Sequence, residues 1–438
     1  MTSTVTELSP AQHVRIRLHL ALIPAYICLI WSWTDVLSRL PVGPGSEAHR
    51  VRDFAAVAYI PGLIANQGGA SALYDSDRRA AMLTALLRSD PHVRYPPFYG
   101  PQISVFFSPL ARLPYEWALA TWMAITCFVY LACGYAIWRA CPRLRDRAGA
   151  VLVLLLADPT LYYTLSFVQI SALALVCVTA GFFALRAGRP FLAGVFLGSL
   201  FYKPSLGVAF GAVLVGSSMW RTASLARRGA ERAKGAALRP RDDGRIVAGA
   251  VAGVAVQLTV AALFWGPQIV SDYVRAVIRL IPDMRDEFYM HHLHSWRGFF
   301  EILGLPNAVA QIGYVIAAVV VLAIAVRCWR SAAPLQVRYA VVLIGTVLVN
   351  PHGYVYDSVI LMPAFLLLWD WAAQQREPFA TRVEWLMYFC YLSPLFAIVA
   401  LVAHVQLSVP ALTMLAALAA SSGLNVQHDS NEFLGRPN

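Results

Sequence analysis

The sequence predicts an all-α, polytopic membrane protein, and three observations support this prediction. Hydrophobic residues make up 58% of the 438 residues and charged residues only 13%, whereas soluble domains have about 45–50% apolar and about 25% charged residues. The mean hydropathy is +0.58. Apolar runs of about 17–25 residues recur along the chain, which is the length that spans a bilayer as a helix. No internal repeat or low-complexity tract divides the sequence, so residues 1–438 are expected to form a single integral membrane domain.

The apolar runs predict about 12 transmembrane helices. The predicted spans are 18–38, 116–138, 149–167, 170–185, 190–202, 205–220, 246–265, 307–326, 336–349, 356–371, 383–402 and 405–421. Two of them, 190–202 and 205–220, are short for a full crossing and meet at Lys203-Pro204. We expect them to form a hairpin whose tip lies within the membrane. The C-terminal tail 422–438 is expected to be disordered.

Basic residues set the predicted orientation. Arg15 and Arg17 precede the first apolar run, which is too long for a signal peptide and lacks a small-x-small cleavage site. Arginines are concentrated in every second loop between the predicted spans, as the positive-inside rule requires of cytoplasmic loops. The protein is therefore predicted to cross the cell membrane (plasma or inner) several times, with both termini in the cytoplasm. The net charge of +11 is explained by orientation and contact with membrane lipids, and no nucleic-acid partner is expected.

Two long loops lie on the predicted extracytoplasmic side, 39–115 and 266–306. In the first, an apolar helical pattern starts at Phe54, and Pro61 is expected to end or kink that helix. In the second, Val274, Val277, Ile278 and Ile281 form an apolar stripe. Helices of this kind lie flat in the membrane interface, so the two loops are expected to cover a cavity between the spans.

Asp53, early in the first outer loop, is the candidate catalytic residue. Transfer of a sugar from a lipid phosphate to a hydroxyl group needs a base that takes the acceptor proton. One carboxylate suffices, because the phosphate leaves as an anion without protonation. The alternative is an ordinary N-cap of the helix that starts at Phe54.

Lys203 is the candidate contact to the donor phosphate. It stands between two apolar half-helices, where a charge is costly unless it has an anionic partner or reaches water. A lysine that extends to the outer interface is the alternative. Four arginines accompany Asp53 in the first loop and are further candidates for phosphate binding, with no sequence feature to rank them. They are Arg52, Arg78, Arg79 and Arg94.

Three further groups are candidates for substrate binding. Histidines are clustered in the second outer loop, where hydrogen bonding to sugar or phosphate competes with a role as solvated loop residues. Their spacing does not suit a metal site, and neither a metal nor another cofactor is predicted. The second group lies at a helix break, residues 350–357, and the third is the dipeptide Val168-Gln169. Broken helices are tolerated where the chain lines a polar cavity, so these residues are candidates for substrate binding. The candidate residues are His291, His292, His294, His352, Tyr356, Asp357 and Gln169.

In their order along the chain, these motifs resemble glycosyltransferase family 87. The resemblance rests on short segments spread over about residues 15–420. They are Arg52-Asp53-Phe54, Gly69 with Leu73-Tyr74-Asp75, Tyr95-Pro96-Pro97, Ser108-Pro109-Leu110-Ala111-Arg112-Leu113-Pro114, Lys203-Pro204, and His352 with Tyr356-Asp357. One departure is Val168-Gln169, because many members of the family have Gly-Gln there.

The resemblance implies a GT-C fold and an inverting transferase that works at the outer face. Its donor would be a polyprenyl-phosphate sugar, with mannose as the expected sugar, and its acceptor a glycolipid or glycan hydroxyl. The family's catalytic aspartate corresponds to Asp53, its Lys-Pro position to Lys203, and its second-loop serine to Ser295. One rival hypothesis is a transporter or flippase of a lipid-linked sugar, although the paired repeats of transporters are not visible. Another is a non-catalytic membrane scaffold.

Overall fold

The computed structural model describes residues 10–38, 52–87, 95, 99–227, 240–280 and 290–433. The predicted phosphate contact Arg94 lies outside the described residues. Within these ranges every regular element is helical, and the only β-type pairing is a single antiparallel bridge between Leu293 and Tyr354. The prediction of an all-α membrane protein is confirmed at this level.

Twenty α-helices follow one another along the described residues. The first outer loop and its flanking helices contribute α1 (Pro10–Ser38), α2 (Arg52–Phe54), α3 (Ile60–Gln67), α4 (Ser76–Leu87), α5 (Gln102–Phe107) and α6 (Tyr115–Ala140). The middle of the chain contributes α7 (Ala148–Leu156), α8 (Pro159–Ser166), α9 (Ala172–Arg186), α10 (Pro190–Gly198), α11 (Pro204–Arg227) and α12 (Pro240–Trp265). The remainder are α13 (Gln268–Leu280), α14 (Trp296–Ile302), α15 (Asn307–Trp329), α16 (Leu335–Val349), α17 (Leu361–Ala372), α18 (Phe379–Leu392), α19 (Ala397–Ala403) and α20 (Ser408–Phe433).

Each predicted span coincides with helical structure, but the helices differ in length. Five helical stretches are long and apolar enough to cross a membrane among the residues described. They are Tyr115–Ala140, Pro142–Ser166, Asp243–Trp265, Asn307–Trp329 and Val355–Ala372. The other apolar helices are shorter, so twelve crossings remain a prediction. The predicted span 149–167 is broken between α7 and α8, where Asp158 caps α8 by accepting from the Thr160 amide and Pro159 starts the new helix.

The helices α10 and α12 cross at very close range because glycines line both contact faces. Gly194 and Gly198 on α10 meet Gly249 and Gly253 on α12, each pair spaced four residues apart. A Cβ atom on any of these four glycines would collide with a backbone carbonyl of the other helix. This small-xxx-small packing is typical of membrane helices, which gain stability from backbone approach. It fixes α10, and with it Lys203 beyond its end.

Gly194→Ala is expected to lower the free energy of unfolding by about 1–3 kcal/mol, because the added methyl group meets the Ile246 backbone and overpacked sites rearrange at that cost. Gly211→Ala on α11 is the matched control, since its Cβ would point into open space. Thermal unfolding in detergent would separate the two variants. Equal melting temperatures for both would contradict the close crossing.

The helix after Asp53 does not end at Pro61, which corrects one of the two outcomes, an end or a kink, that the sequence predicted. The chain runs from α2 through a π-helical turn, Ala55–Tyr59, directly into α3, with Pro61 in its first turn. A proline inside a helical run has no N–H to donate, and the π turn changes the hydrogen-bond pattern immediately before Pro61. The π turn therefore lets the helix continue to Gln67.

The second outer loop contains a strongly amphipathic helix, as predicted from its apolar stripe. On α13, Ile269 and Tyr273 are buried against the protein, whereas Val274 and Ile278 are exposed. Helices with exposed apolar residues beside a charged face lie in membrane interfaces. An interfacial position for α13 therefore remains the expectation.

Candidate functional site

Four chain segments that are distant in sequence meet around Asp53. They are the first outer loop, the α8–α9 connection at Gln169, the α10–α11 connection at Lys203 and the α16–α17 connection that ends at Asp357. Hydrogen bonds and an ion pair link these connections into one polar cluster. Asp53, Gln169, Lys203, Asp357 and Tyr356, predicted separately, thus lie together.

Asp53 is held by side chains of two other segments. The Tyr95 hydroxyl donates to Oδ1 at 3.0 Å, and the Gln169 amide donates to Oδ2 at 2.8 Å. The residue lies within the first turn of α2 and remains partly exposed. Desolvation by burial raises the pKa of Asp53 above its ordinary value, while these two hydrogen bonds and the charge of Lys203 oppose the rise. Each carboxylate oxygen has a second lone pair, so Asp53 is able to accept a hydrogen bond from a substrate hydroxyl.

The residue before Gln169, which donates to Asp53, has an unusual backbone conformation. Val168 has φ +45°, a left-handed conformation that costs a residue with a side chain about 1–2 kcal/mol and glycine almost nothing. Val168 thus adopts a turn conformation that glycine would favour. The side-chain carbonyl oxygen of Gln169 accepts a hydrogen bond from the Tyr99 hydroxyl at 3.4 Å. The backbone carbonyl oxygen of Gln169 accepts one from the Trp122 indole N–H.

Lys203 forms a buried ion pair with Asp357. Its ammonium group donates to Oδ1 at 2.7 Å and to Oδ2 at 2.6 Å, and both side chains are almost fully buried. Ser171 donates to the same carboxylate at 3.0 Å. Lys203 therefore does not extend to the outer interface, and Asp357 binds side chains of other segments. The charge of Lys203 is balanced within the protein.

Aromatic rings surround this ion pair. The Lys203 ammonium lies 5.1 Å from the Tyr356 ring centre and 5.8 Å from that of Tyr99, which adds cation–π attraction. Tyr356 also stacks on Tyr354, and the His352 ring packs edge-on against Tyr354. Burial and the positive charges of Lys203 and Arg297 lower the pKa of His352 to about 3. His352 is therefore neutral at physiological pH.

The histidines of the second loop have different surroundings. His294 is buried, and its Nδ1 lies 2.7 Å from the Ser408 hydroxyl, which ties the loop to α20. His292 packs edge-on against Tyr163 and Phe167. Burial, reinforced by neighbouring histidines, lowers the pKa of His292 to about 4 and of His294 to about 3. His291 packs against His292 at 4.2 Å between ring centres. No three metal-binding side chains are grouped among the residues described.

Sequence reasoning missed several partners of this cluster. Tyr95 belonged to a recognised motif, but nothing in the pattern showed that its hydroxyl reaches Asp53. Tyr99 and Ser171 carried no signal, because a single tyrosine or serine near an apolar run is common. Conversely, Arg52 beside Asp53 is exposed.

A separate cavity lies away from this cluster. It measures about 280 Å³ and is bounded by α6, α7, α17 and α18, with Tyr130, Arg147, Trp369 and Trp385 among its lining residues. Its buried carboxylate, Asp158, already accepts hydrogen bonds from Tyr130 and Thr160. None of the predicted site residues lines this cavity.

The comparison with protein families supports the resemblance found in the sequence. The model of glycosyltransferase family 87 matches residues 97–229, less than a third of the chain. The matched segment contains Tyr99, Gln169 and Lys203, whereas Asp53 and Asp357 lie on either side of it. No curated protein and no solved structure matches the chain significantly. The chain thus resembles glycosyltransferase family 87, and this resemblance supports a membrane glycosyltransferase.

Proposed function

We propose that this protein transfers a sugar, with mannose the expected one, from a polyprenyl-phosphate donor to a hydroxyl group of a lipid or glycan acceptor. Transfer takes place at the extracytoplasmic face, with inversion, and Asp53 is the general base. The observation that carries the proposal is the position of Asp53, a partly exposed carboxylate held by Tyr95 and Gln169 beside a buried polar cluster.

The chemistry needs one base and one leaving group. Asp53 takes the proton of the acceptor hydroxyl as its oxygen forms a bond to the anomeric carbon. The bond between that carbon and the phosphate oxygen breaks, and the phosphate keeps the electron pair as an anion. Attack opposite the leaving phosphate inverts the anomeric configuration. The Tyr95 and Gln169 hydrogen bonds keep the carboxylate in one orientation, which reduces the cost of reaching the reactive geometry.

The distribution of charge supports the predicted sidedness. The connections that carry Gln169, Lys203 and Asp357 follow helices predicted to run outward, and the arginine-rich loops lie at the other ends. A donor with its tail between membrane helices would present its phosphate and sugar at this depth. The two outer loops would then exclude water, which limits hydrolysis of the donor.

The donor class is tested with purified protein in nanodiscs and a membrane lipid extract as acceptor. Polyprenyl-phosphate mannose, polyprenyl-phosphate arabinose and a nucleotide sugar are offered separately. We expect free polyprenyl phosphate and a new glycosylated product from a lipid-linked donor, and neither from the nucleotide sugar. Movement of the donor between leaflets of proteoliposomes without release of polyprenyl phosphate would instead establish the transporter hypothesis.

The transfer rate is expected to fall at acid pH, with its half-point above the ordinary aspartate pKa of 3.8. As the pH falls through the raised pKa, Asp53 takes up a proton and loses its function as a base. Gln169→Leu removes a hydrogen bond that lowers this pKa, so the half-point should move to higher pH. Tyr95→Phe should move it in the same direction. Rate–pH profiles of the three proteins test this, and identical half-points would exclude Asp53 as the titrating base.

A further inference from the structure

Arg79 differs from the other described arginines of the first outer loop in being buried. It lies on α4 with only 9% of its surface exposed, whereas Arg52 and Arg78 are exposed. Its NH2 group donates to the backbone carbonyl of Ala56 at 2.8 Å, in the π-helical turn that follows Asp53. Arg79 is therefore anchored to the same helical segment that carries the candidate base.

The rest of this guanidinium group has no partner among the residues that the structure describes. Its Nε and NH1 atoms are buried without a hydrogen bond, and no described carboxylate forms an ion pair with it. Burying an unpaired charge costs free energy. We therefore expect a bound group to supply the hydrogen-bond acceptors that this guanidinium lacks. Lys203 differs from Arg79 because Asp357 already neutralises its charge.

Another unsatisfied donor, the Tyr74 hydroxyl, lies next to Arg79, and the Tyr273 ring packs against the Tyr74 ring. The hydroxyls of Tyr74 and Tyr273 are buried without partners within the described residues, and their ring centres are 5.8 Å apart. Arg79 is close enough to Tyr74 to lower its pKa, against a larger rise from burial. Asp272 also lies near Tyr74, and Arg275 pairs with it. The first outer loop thus contributes a guanidinium and a hydroxyl to one place, and Tyr273 of α13 packs against the ring that carries this hydroxyl.

Arg79 lines two small cavities. One, of about 10 Å³, is lined by Arg79, Tyr95 and Ala56, and the other, of about 20 Å³, by Arg79, Tyr74 and Tyr99. Each is about the size needed for one water molecule, and so for one oxygen atom of a larger group. Tyr95 bonds to Asp53 and Tyr99 to Gln169, so both cavities adjoin the candidate site.

We propose that Arg79, with the hydroxyl of Tyr74, forms a subsite for a phosphate group beside Asp53. A guanidinium group donates charge-assisted hydrogen bonds to phosphate oxygens, and each of the two cavities lined by Arg79 has room for one oxygen atom. Resting on the proposed function, the phosphate is that of the polyprenyl carrier; a phospholipid headgroup is the other source of the same chemistry. Arg79 thereby replaces Lys203 as the main cation for the leaving phosphate.

The test measures binding without turnover, in full-length Asp53→Asn protein in nanodiscs. The probes are a polyprenyl phosphate, the matching polyprenol and a short-chain phosphatidylglycerol. Arg79→Gln should weaken binding of the phosphate probe by about 10- to 100-fold, the worth of a charge-assisted hydrogen bond, and leave polyprenol unchanged. Arg78→Gln, on the exposed side of the same helix, should change neither.

If Arg79-dependent binding is selective for polyprenyl phosphate, the subsite binds the carrier. If only phosphatidylglycerol binds in an Arg79-dependent way, the subsite binds a phospholipid headgroup. Both results support a phosphate subsite. Unchanged binding of both phosphate probes to Arg79→Gln, or equal loss of phosphate and polyprenol, would overturn it. If Arg79→Gln does not fold, the Tyr74→Phe variant decides, with phosphate binding expected to weaken and polyprenol binding to persist. The binding test does not depend on sugar transfer. If the wild-type protein transfers no sugar but phosphate binding still depends on Arg79, the proposed function is refuted and the phosphate subsite is supported.

Discussion

Asp53→Asn is expected to lower the rate of sugar transfer by about 10²- to 10⁴-fold, the usual contribution of a general base. Asparagine has nearly the shape of aspartate and can still accept from Tyr95, but it does not take up the acceptor proton. Donor affinity should therefore change little, because the loss concerns the transition state. The measurement is the initial rate of polyprenyl phosphate release under saturating donor.

Asp75→Asn provides the matched control for this change. Asp75 is an exposed carboxylate of the same loop that accepts from the backbone amides of Asp77 and Arg78 at the start of α4. Asparagine caps helices as well as aspartate does, so this variant should retain full activity. A wild-type rate from folded Asp53→Asn protein would remove Asp53 from the mechanism, whatever the control shows.

The second large effect is expected at the Lys203–Asp357 ion pair. Lys203→Met should lower the free energy of unfolding by about 3–5 kcal/mol, because it leaves the buried Asp357 carboxylate without its cation. Ser171 would remain as its hydrogen-bond donor. The double variant Lys203→Met/Asp357→Leu should regain much of this stability, since replacing both members of a buried pair by apolar residues is often neutral.

Thermal unfolding of the single and double variants in detergent measures this coupling. Arg279→Met on the exposed face of α13 is the control for loss of one positive charge, and its melting temperature should be close to that of the wild type. If Lys203→Met alone melts like the wild type, the ion pair does not hold the α10–α11 and α16–α17 connections together.

Several residues singled out in the sequence lie together in the structure, but the sequence did not predict their contacts. Asp53, Lys203 and Asp357 are conspicuous because a charge beside an apolar run is costly and so invites a functional explanation. The pairing of Lys203 with Asp357 joins residues 154 positions apart, and hydropathy carries no information on which helices are neighbours. Arg79 could not be ranked above Arg78, since burial of one of two adjacent arginines depends on how α4 packs.

Some local features that were not predicted nevertheless have a signal in the sequence, and others have none. The break in the span 149–167 follows from Asp158-Pro159, which combines a capping residue with a proline suited to a helix start. The glycine spacing of α10 and α12 is visible as Gly194–Gly198 and Gly249–Gly253. The π turn before Pro61 was not readable, because π turns have no strong composition signal and proline more often ends a helix.

A single-turnover experiment shows whether a lipid-phosphate sugar is the donor and whether Asp53 takes the acceptor proton. Polyprenyl-phosphate mannose is bound in advance to wild type and to Asp53→Asn, and each complex is then mixed with the acceptor extract. We expect both proteins to bind the donor equally, and only the wild type to release polyprenyl phosphate and form product within the first turnover. Equal release by the two proteins would rule out Asp53 as the base.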